Sequence, residues 1–228
     1  MGKLKVLSKL GEGSYGSVYL VLDDKTQKRH VMKRIRIQGM ADQELQDCRN
    51  EIEILQMMVN PYIIRYQHSF VAKGSLCIVM DYAERGDLYE QVKLQMKKGD
   101  YFEEELILKW ITQASFGLKH IHDNKILHRD IKTKNIFLTA DGHIKIGDFG
   151  ISRVLNTNSQ NANSIVGAPY YMSPEMIRGV PYNHKTDVWS LGVVLYELIS
   201  LQHPFMGRSI EDLAKRILEG VCIFNILI

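Results

Sequence analysis

Cysteine is scarce in this chain, and what there is does not pair. Cys48, Cys77 and Cys222 are three among 228 residues. An odd number without metal-ligand spacing excludes a disulfide-stapled scaffold and a cysteine-held zinc site, and points to a reducing, cytoplasmic compartment. Long apolar runs are missing too. No stretch approaches eighteen apolar residues, so no membrane span is expected. The opening MGKLKVL has no signal-peptide core, and Val6 stands where a myristoylation signal wants Ser or Thr. Charge of one sign is also lacking: 29 Lys+Arg against 26 Asp+Glu leave +3, dispersed along the chain. That balance excludes the basic tract a nucleic-acid or anionic-membrane partner would need. There is no internal repeat and no low-complexity segment.

What is there is an ordinary globular composition, 45% hydrophobic and 24% charged. Its length suits one large domain or two small ones with real cores. Roughly the first forty residues read as strands, in short alternating runs broken by Gly13, Gly16 and the DDKTQ turn. Residues 42–58 turn helical, with Leu45, Cys48, Ile52, Leu55 and Val59 expected on one face. Residues 63–71 and 75–83 read as two more strands joined by an AKGS turn. After a hinge near 81–87 the chain becomes mainly helical. Residues 103–122 carry Leu106, Trp110, Gln113, Gly117 and Ile121 at helical spacing. Residues 143–150 read as a brief strand, 156–164 as a polar, mobile stretch, 185–200 as an apolar helix and 209–219 as an amphipathic one.

Several polar residues stand out against that plan. Leu10–Val18 reads LGEGSYGSV, a G-x-G-x-x-G, and glycines alone can simply mark turns. A dinucleotide site would need a helix directly after them. Here Val18, Leu20 and Leu22 alternate instead, so a strand follows and the oxidoreductase reading fails. The glycines sit in a hairpin, where missing side chains let backbone N–H groups approach a polyphosphate. Lys33 lies on the next strand, ordinarily a solvated position. Glu51 lies on the following helix, and a Lys33–Glu51 pair would aim the ammonium at phosphate oxygens.

The run ILHRDIKTKNIFL, residues 126–138, sets His128, Arg129, Asp130, Lys132, Lys134 and Asn135 among apolar residues that pin it to a core. Asp130 could orient a substrate hydroxyl and take its proton. Asn135 and Asp148 offer the hard oxygen ligands a divalent metal on a triphosphate prefers. Lys132 could neutralise charge on a transferred phosphoryl group. Singly, each has a plain reading as a turn or cap residue. The order and spacing together are those of phosphoryl-transfer motifs.

From the glycine loop through V-M-K at 31–33, Glu51, H-R-D-I-K-T-K-N at 128–135, D-F-G at 148–150, S-P-E at 173–175 and D-V-W-S-L-G at 187–192, the chain resembles a eukaryotic protein kinase along nearly its whole length. Lys132 within H-R-D-x-K resembles the serine/threonine class. RNEIEIL, HRDIKTKNIFL, GDFGISRVL, PYYMSPEMI and Val31 before Met32 are similar to the NIMA-related (Nek) kinases. The resemblance implies an α+β, bilobal fold. A small β-rich lobe would span residues 1–83 and a larger helical lobe 84–228, cut short before the last helices of that fold. It implies ATP and Mg²⁺ as cofactors and proteins bearing Ser or Thr as substrates, with a regulatory partner unidentified.

The resemblance also assigns residues. Asp130 would be the base, with Lys132, Lys33 and Glu51 completing the catalytic set and Asn135 and Asp148 holding metal. ATP would lie against Leu10, Gly11, Glu12, Gly13, Ser14, Tyr15, Gly16, Val18, Val31, Lys33, Met80, Asp81, Ala83 and Phe137. Met80 would be the gatekeeper, and His128, Phe149, Leu55 and Tyr66 a regulatory spine. Asp187 would hold the H-R-D backbone. Ser164 would be phosphorylated on activation and would pair with Arg129. One departure stands out: Ala168 replaces a usual Thr whose hydroxyl bridges the positions of Asp130 and Lys132. That, with the short end, leaves a catalytically impaired nucleotide-binding or scaffold module as the alternative.

Overall fold

The computed structural model describes residues 3–13, 16–148 and 169–222. It divides into two compact units between Glu84 and Arg85. In the first unit β1 (Leu4–Gly13), β2 (Gly16–Asp23), β3 (Arg29–Arg36), β4 (Tyr66–Ala72) and β5 (Ser75–Asp81) form an antiparallel sheet in the order β1-β2-β3-β5-β4. A single helix, α1 (Asp42–Met57), intervenes between β3 and β4. Glu44 reaches back to the backbone N–H of Ala41 at 2.8 Å, which anchors the helix start where no capping side chain stands.

The period of two sorts this sheet into faces. Val21, Met32, Cys77 and Val79 are buried together on one side, with Leu4, Tyr19, Phe70 and Ala72 packed around them. Across the register, Val18 pairs Lys33, Lys33 pairs Ile78, and Val31 pairs Met80. Direct cross-strand partners share a face, so Val18, Val31, Lys33, Ile78 and Met80 lie together on the other side. The sequence put Val18, Leu20 and Leu22 forward as the inward residues of β2. The structure instead buries Val21 fully and leaves those three half-buried. The sheet thus keeps one sealed face and one partly open one.

Two further expectations shift in detail. The strand expected over 63–71 begins at Tyr66, while Ile63 and Ile64 are buried ahead of it. The inward face of α1 is Asp47, Cys48, Glu51 and Leu55. Val59 falls beyond the helix end and is 60% exposed. Cys48 and Leu55 are inward as expected, while Glu51 rather than Ile52 lies between them, which seats a carboxylate inside.

The second unit is helical. α2 (Leu88–Lys98) starts on Asp87, whose carboxylate accepts the Glu90 N–H at 2.9 Å. It stops at Gly99, whose φ of 71° is the left-handed conformation that a helix end favours in glycine. α3 (Glu104–Asp123) buries Ile107, Trp110, Gln113, Ala114, Gly117, Leu118 and Ile121. Ile107 takes the inward place expected for Leu106, which is half-buried. A short hairpin follows, β6 (Ile136–Leu138) and β7 (Ile144–Ile146), preceded by one 3-10 turn at Thr133–Asn135. α3 holds this hairpin through polar bonds: Gln113 Oε1 accepts the Ile144 N–H at 3.0 Å, and Trp110 Nε1 donates to the Gly142 carbonyl at 3.3 Å. α4 (Pro174–Ile177), α5 (Lys185–Ser200) and α6 (Ile210–Glu219) complete the unit. Among the described residues no helix is long and apolar enough to cross a membrane.

Candidate active site

The loop between α3 and β6 is fastened by its apolar residues. Ile131, Ile136 and Leu138 are at most 1% exposed, so the polar residues between them have little freedom to move. Asp130 Oδ2 accepts Lys132 Nζ at 2.8 Å and Asn135 Nδ2 at 2.9 Å. Asn135 Nδ2 also donates to the Asp130 carbonyl at 2.8 Å. The carboxylate is therefore oriented by two donors from its own loop, while about 29% of its side chain stays exposed. A group meant to meet a substrate hydroxyl needs both properties.

The backbone before Asp130 is unusual. Arg129 has φ 65°, a left-handed conformation costly for a side-chain-bearing residue. Asp187, fully buried at the start of α5, holds it there. Its Oδ1 accepts the Arg129 N–H at 2.7 Å and its Oδ2 the His128 N–H at 2.9 Å. His122 Nε2 lies 2.9 Å from the same Oδ2. His128 is sealed behind the loop, with Nε2 facing the Gly147 carbonyl at 3.1 Å and Nδ1 accepting the Asp130 N–H at 3.3 Å. That pairing requires a neutral ring protonated on Nε2. Burial agrees with it, pushing the imidazole below the ordinary histidine value.

The hairpin register brings the two expected metal ligands to one end. Ile136 pairs Ile146, and the Gly147 N–H donates to the Asn135 carbonyl at 2.9 Å. Asn135 and Asp148 thus flank the same rung. Asp148 has φ 55°, a second left-handed residue that no glycine relieves. Asn135 spends its amide nitrogen on Asp130, so the amide oxygen is the atom it can offer a cation. Among the described residues no three His, Cys, Asp or Glu side chains cluster into a metal cage. The donor set of Asn135 and Asp148 is instead one that fits Mg²⁺, which takes one or two protein oxygens alongside phosphates and water.

In the first unit, Lys33 is half-buried on β3 and Glu51 is 3% exposed in α1. Val18, Val31 and Met80 share the open sheet face with Lys33, and each is half-buried. Ala83 is buried, whereas Leu10 is 47% exposed beside a β1 irregularity. The Asp81 N–H is spent on the Arg65 carbonyl at 2.9 Å, which leaves its carbonyl as the atom a purine edge could use. Glu12 is exposed and paired to Lys9 Nζ at 2.7 Å. In the second unit Phe137 is half-buried on β6.

The glycines of the hairpin differ in kind. A Cβ on Gly16 would stand 2.0 Å from the Arg34 carbonyl oxygen, so strand packing alone requires glycine there. A Cβ on Gly11 would meet nothing within 4 Å among the described residues. Packing among the described residues does not explain that missing side chain. Ser14, Tyr15, Phe149, Ser164 and Ala168, with the stretch expected to be mobile at 156–164, lie outside the described residues.

Sequence reasoning passed over His122, Tyr171 and Glu197. Glu197 is 3% exposed in α5, receives the Tyr171 hydroxyl on Oε2, and lies 3.4 Å from Thr133 Oγ1 on Oε1. The one signal available was an acidic residue on the inward face of an apolar helix.

A sheet-plus-helix unit carrying the glycine hairpin and Lys33, and a helical unit carrying the Asp130–Lys132–Asn135 loop and Asp148, are together the make-up of a protein kinase. The sequence profile of the protein kinase domain matches residues 4–227, and the chain belongs to that family. It is 48% identical to serine/threonine-protein kinase Nek1 of Mus musculus over 220 residues, covering 96% of this chain and 18% of that protein. It is 46% identical to serine/threonine-protein kinase Nek5 of Homo sapiens over 221 residues, covering 96% of this chain and 31% of that protein. With serine/threonine-protein kinase Nek3 of Mus musculus the identity is 43% over 220 residues, 96% of this chain and 42% of that protein. The chain thus spans less than half the length of each of these relatives.

Proposed function

We propose that this chain transfers the γ-phosphoryl group of ATP to serine and threonine hydroxyls of protein substrates. The observation that carries the reading is the clamp on Asp130 Oδ2 by Lys132 Nζ at 2.8 Å and Asn135 Nδ2 at 2.9 Å. In the reaction the substrate oxygen bonds to the γ-phosphorus, the bond to the β–γ bridging oxygen breaks, ADP leaves, and the hydroxyl proton passes to Asp130. There is little covalent work for the protein in such a transfer, so positioning and charge compensation dominate. Lys132 places its ammonium beside Asp130, where negative charge gathers as the phosphoryl group moves.

Asn135 and Asp148 would hold Mg²⁺, which when bound neutralises phosphate charge and draws the phosphate oxygens into line. Lys33, supported by Glu51, would meet the nucleotide phosphates. Leu10, Val18, Val31, Met80, Ala83 and Phe137 would give the purine apolar walls. The backbones of Asp81 and Ala83 would meet the purine edge, and residues 11–16 the phosphates. The relatives' names support this enzyme reading over an impaired scaffold. Free Cys48, Cys77 and Cys222 support a reducing, cytoplasmic setting.

The test is transfer of labelled γ-phosphate to a generic protein such as casein, followed by phosphoamino-acid analysis. Label on Ser and Thr is expected. Label on Tyr alone, or none, would overturn the reading.

A further inference from the structure

α5 presents one inward stripe to two different stretches of chain. Thr186, Ser190 and Glu197 fall four and seven residues apart, a spacing that keeps them on one helical face. Each of the three is buried. Thr186 Oγ1 meets Ser173 Oγ at 2.5 Å, and Ser190 Oγ donates to the Tyr171 carbonyl at 2.8 Å. These bonds fasten the chain at 171–173, just after residues 149–168. Asp187, on the next position of the same helix, fastens His128 and Arg129.

Glu197 joins the two stretches. Tyr171 donates its phenol to Glu197 Oε2. Thr133 Oγ1 lies 2.9 Å from Tyr171 Oη and donates to Glu197 Oε1 at 3.4 Å. Thr133 is fully buried, next to Lys132 and in the same 3-10 turn as Asn135. Burial, reinforced by the neighbouring carboxylate, keeps the Tyr171 phenol far above its usual range, so it remains a donor at any working pH. His203 closes the cluster, stacked on Tyr170 with ring centres 4.2 Å apart and with Nδ1 3.9 Å from Glu197 Oε2.

A buried carboxylate is costly to desolvate and contributes little to net stability against an apolar replacement. Its plain structural use would be to satisfy one tyrosine. That use does not account for the second oxygen turned to Thr133, inside the turn that carries two of the reacting-site residues.

We propose that Glu197, through Thr133 and Tyr171, is a positioning residue that locks the Lys132–Asn135 turn to the chain at Tyr171, and so sets the rate of phosphoryl transfer without touching nucleotide. The inference rests on the phosphoryl-transfer reading above. Because the network lies behind the turn, loosening it displaces Lys132 and Asn135 relative to Asp130. Displacements of about an ångström in such arrangements cost up to roughly a hundredfold in rate. Mg-ATP affinity, to which Lys33, Asp148 and the glycine hairpin also contribute, falls much less than the rate.

The experiment compares the parent with Thr133→Val, Thr133→Ser, Tyr171→Phe and the Thr133→Val/Tyr171→Phe double variant. Thr133→Val keeps the volume and removes the hydroxyl, while Thr133→Ser keeps the hydroxyl. Initial rates with Mg-ATP and casein should show kcat reduced about tenfold or more in Thr133→Val and Tyr171→Phe, with KM for ATP within about twofold. Thr133→Ser should return most of kcat. The double variant should be little worse than the poorer single, because both break one network.

Amide hydrogen exchange at residues 128–135 supplies a readout that does not depend on turnover. It should quicken in Thr133→Val and Tyr171→Phe but not in Thr133→Ser, with α3 unchanged. If the parent transfers no phosphate, the proposed function fails while exchange still decides whether the network holds the turn. Variants that lose thermal stability yet keep kcat overturn the inference, as does unchanged exchange at 128–135. Equal loss of kcat and of Mg-ATP binding also overturns it, since that pattern means general disruption.

Discussion

Asp187 Oδ1 accepts the backbone N–H of Arg129 at 2.7 Å, so a buried carboxylate 58 residues away in sequence holds Arg129 in its left-handed conformation. Asp187→Asn would keep a single acceptor and set an amide N–H₂ against a backbone N–H. The expected result is a fall in kcat larger than any rise in KM for ATP. Stability should drop by about 1.5–3 kcal/mol, the range for hydrogen bonds to a charged group. Steady-state kinetics and urea unfolding check both. Unchanged kcat would show that the Arg129 conformation does not need this bond.

Gly11 and Gly16 should part company on substitution. Gly16→Ala drives a Cβ to 2.0 Å from the Arg34 carbonyl oxygen and should destabilise the β2–β3 pairing with or without ligand. Gly11→Val enters space with no atom of the described residues within 4 Å of its Cβ, so the unliganded melting temperature should hold. The increase produced by Mg-ATP should shrink. A Gly11→Val protein with a full nucleotide shift would remove the glycine hairpin from the binding site.

Lys33 gives a sharper form of that test. Saturation at 100 times Kd raises apparent stability by about 2.7 kcal/mol, and Lys33→Met should abolish most of the effect. A thermal melt with and without Mg-ATP reads it directly. A Lys33→Met variant that shifts as far as the parent would contradict the assignment.

Acid should destabilise the fold from neutrality downward. Burial holds the imidazoles of His128 and His203 below the ordinary histidine value. An unfolded histidine takes up its proton near pH 6.5. The folded ones wait for lower pH, so stability present above about pH 6.5 is lost as pH falls toward their folded values. The slope approaches about 1.4 kcal/mol per pH unit for each such histidine. Glu197 and Asp87, raised by burial, act in the opposite sense, because the folded state takes their protons first as pH falls through the carboxylate range. Urea midpoints at pH 7.5 and 5.5 should therefore differ, and His203→Phe should narrow the gap by about one proton's worth. Equal midpoints would contradict the neutral, buried state of these rings.

Legibility in the sequence followed distance along the chain. The glycine hairpin, Lys33, the 128–135 loop and Asp148 sit in short patterns whose chemistry is local, so each could be singled out from the sequence as a candidate. The hairpin register that brings Asn135 beside Gly147 was not read from the sequence, because no local pattern pairs Ile136 with Ile146 ten residues on. The Glu197–Tyr171–Thr133 contacts span 26 and 64 residues, and no spacing rule ties a helix glutamate to a loop threonine. The inward face of α1 was misread at Val59 for a related reason. Apolar periodicity continued past Met57, where the hydrogen-bonded helix stops. Glu51 then occupied an inward position that hydrophobicity alone assigns to Ile52.

The central claim is that Asp130, clamped by Lys132 and Asn135, accepts the proton of a substrate hydroxyl during phosphoryl transfer. It is tested most directly by single-turnover transfer from labelled ATP to casein, parent beside Asp130→Asn, at matched nucleotide occupancy. The amide keeps the shape and an acceptor for Lys132 but cannot take a proton at neutral pH. The predicted result is transfer lowered by about a hundredfold or more, in keeping with the usual range for a general base, with Mg-ATP binding retained. Equal transfer by the two proteins would contradict the account.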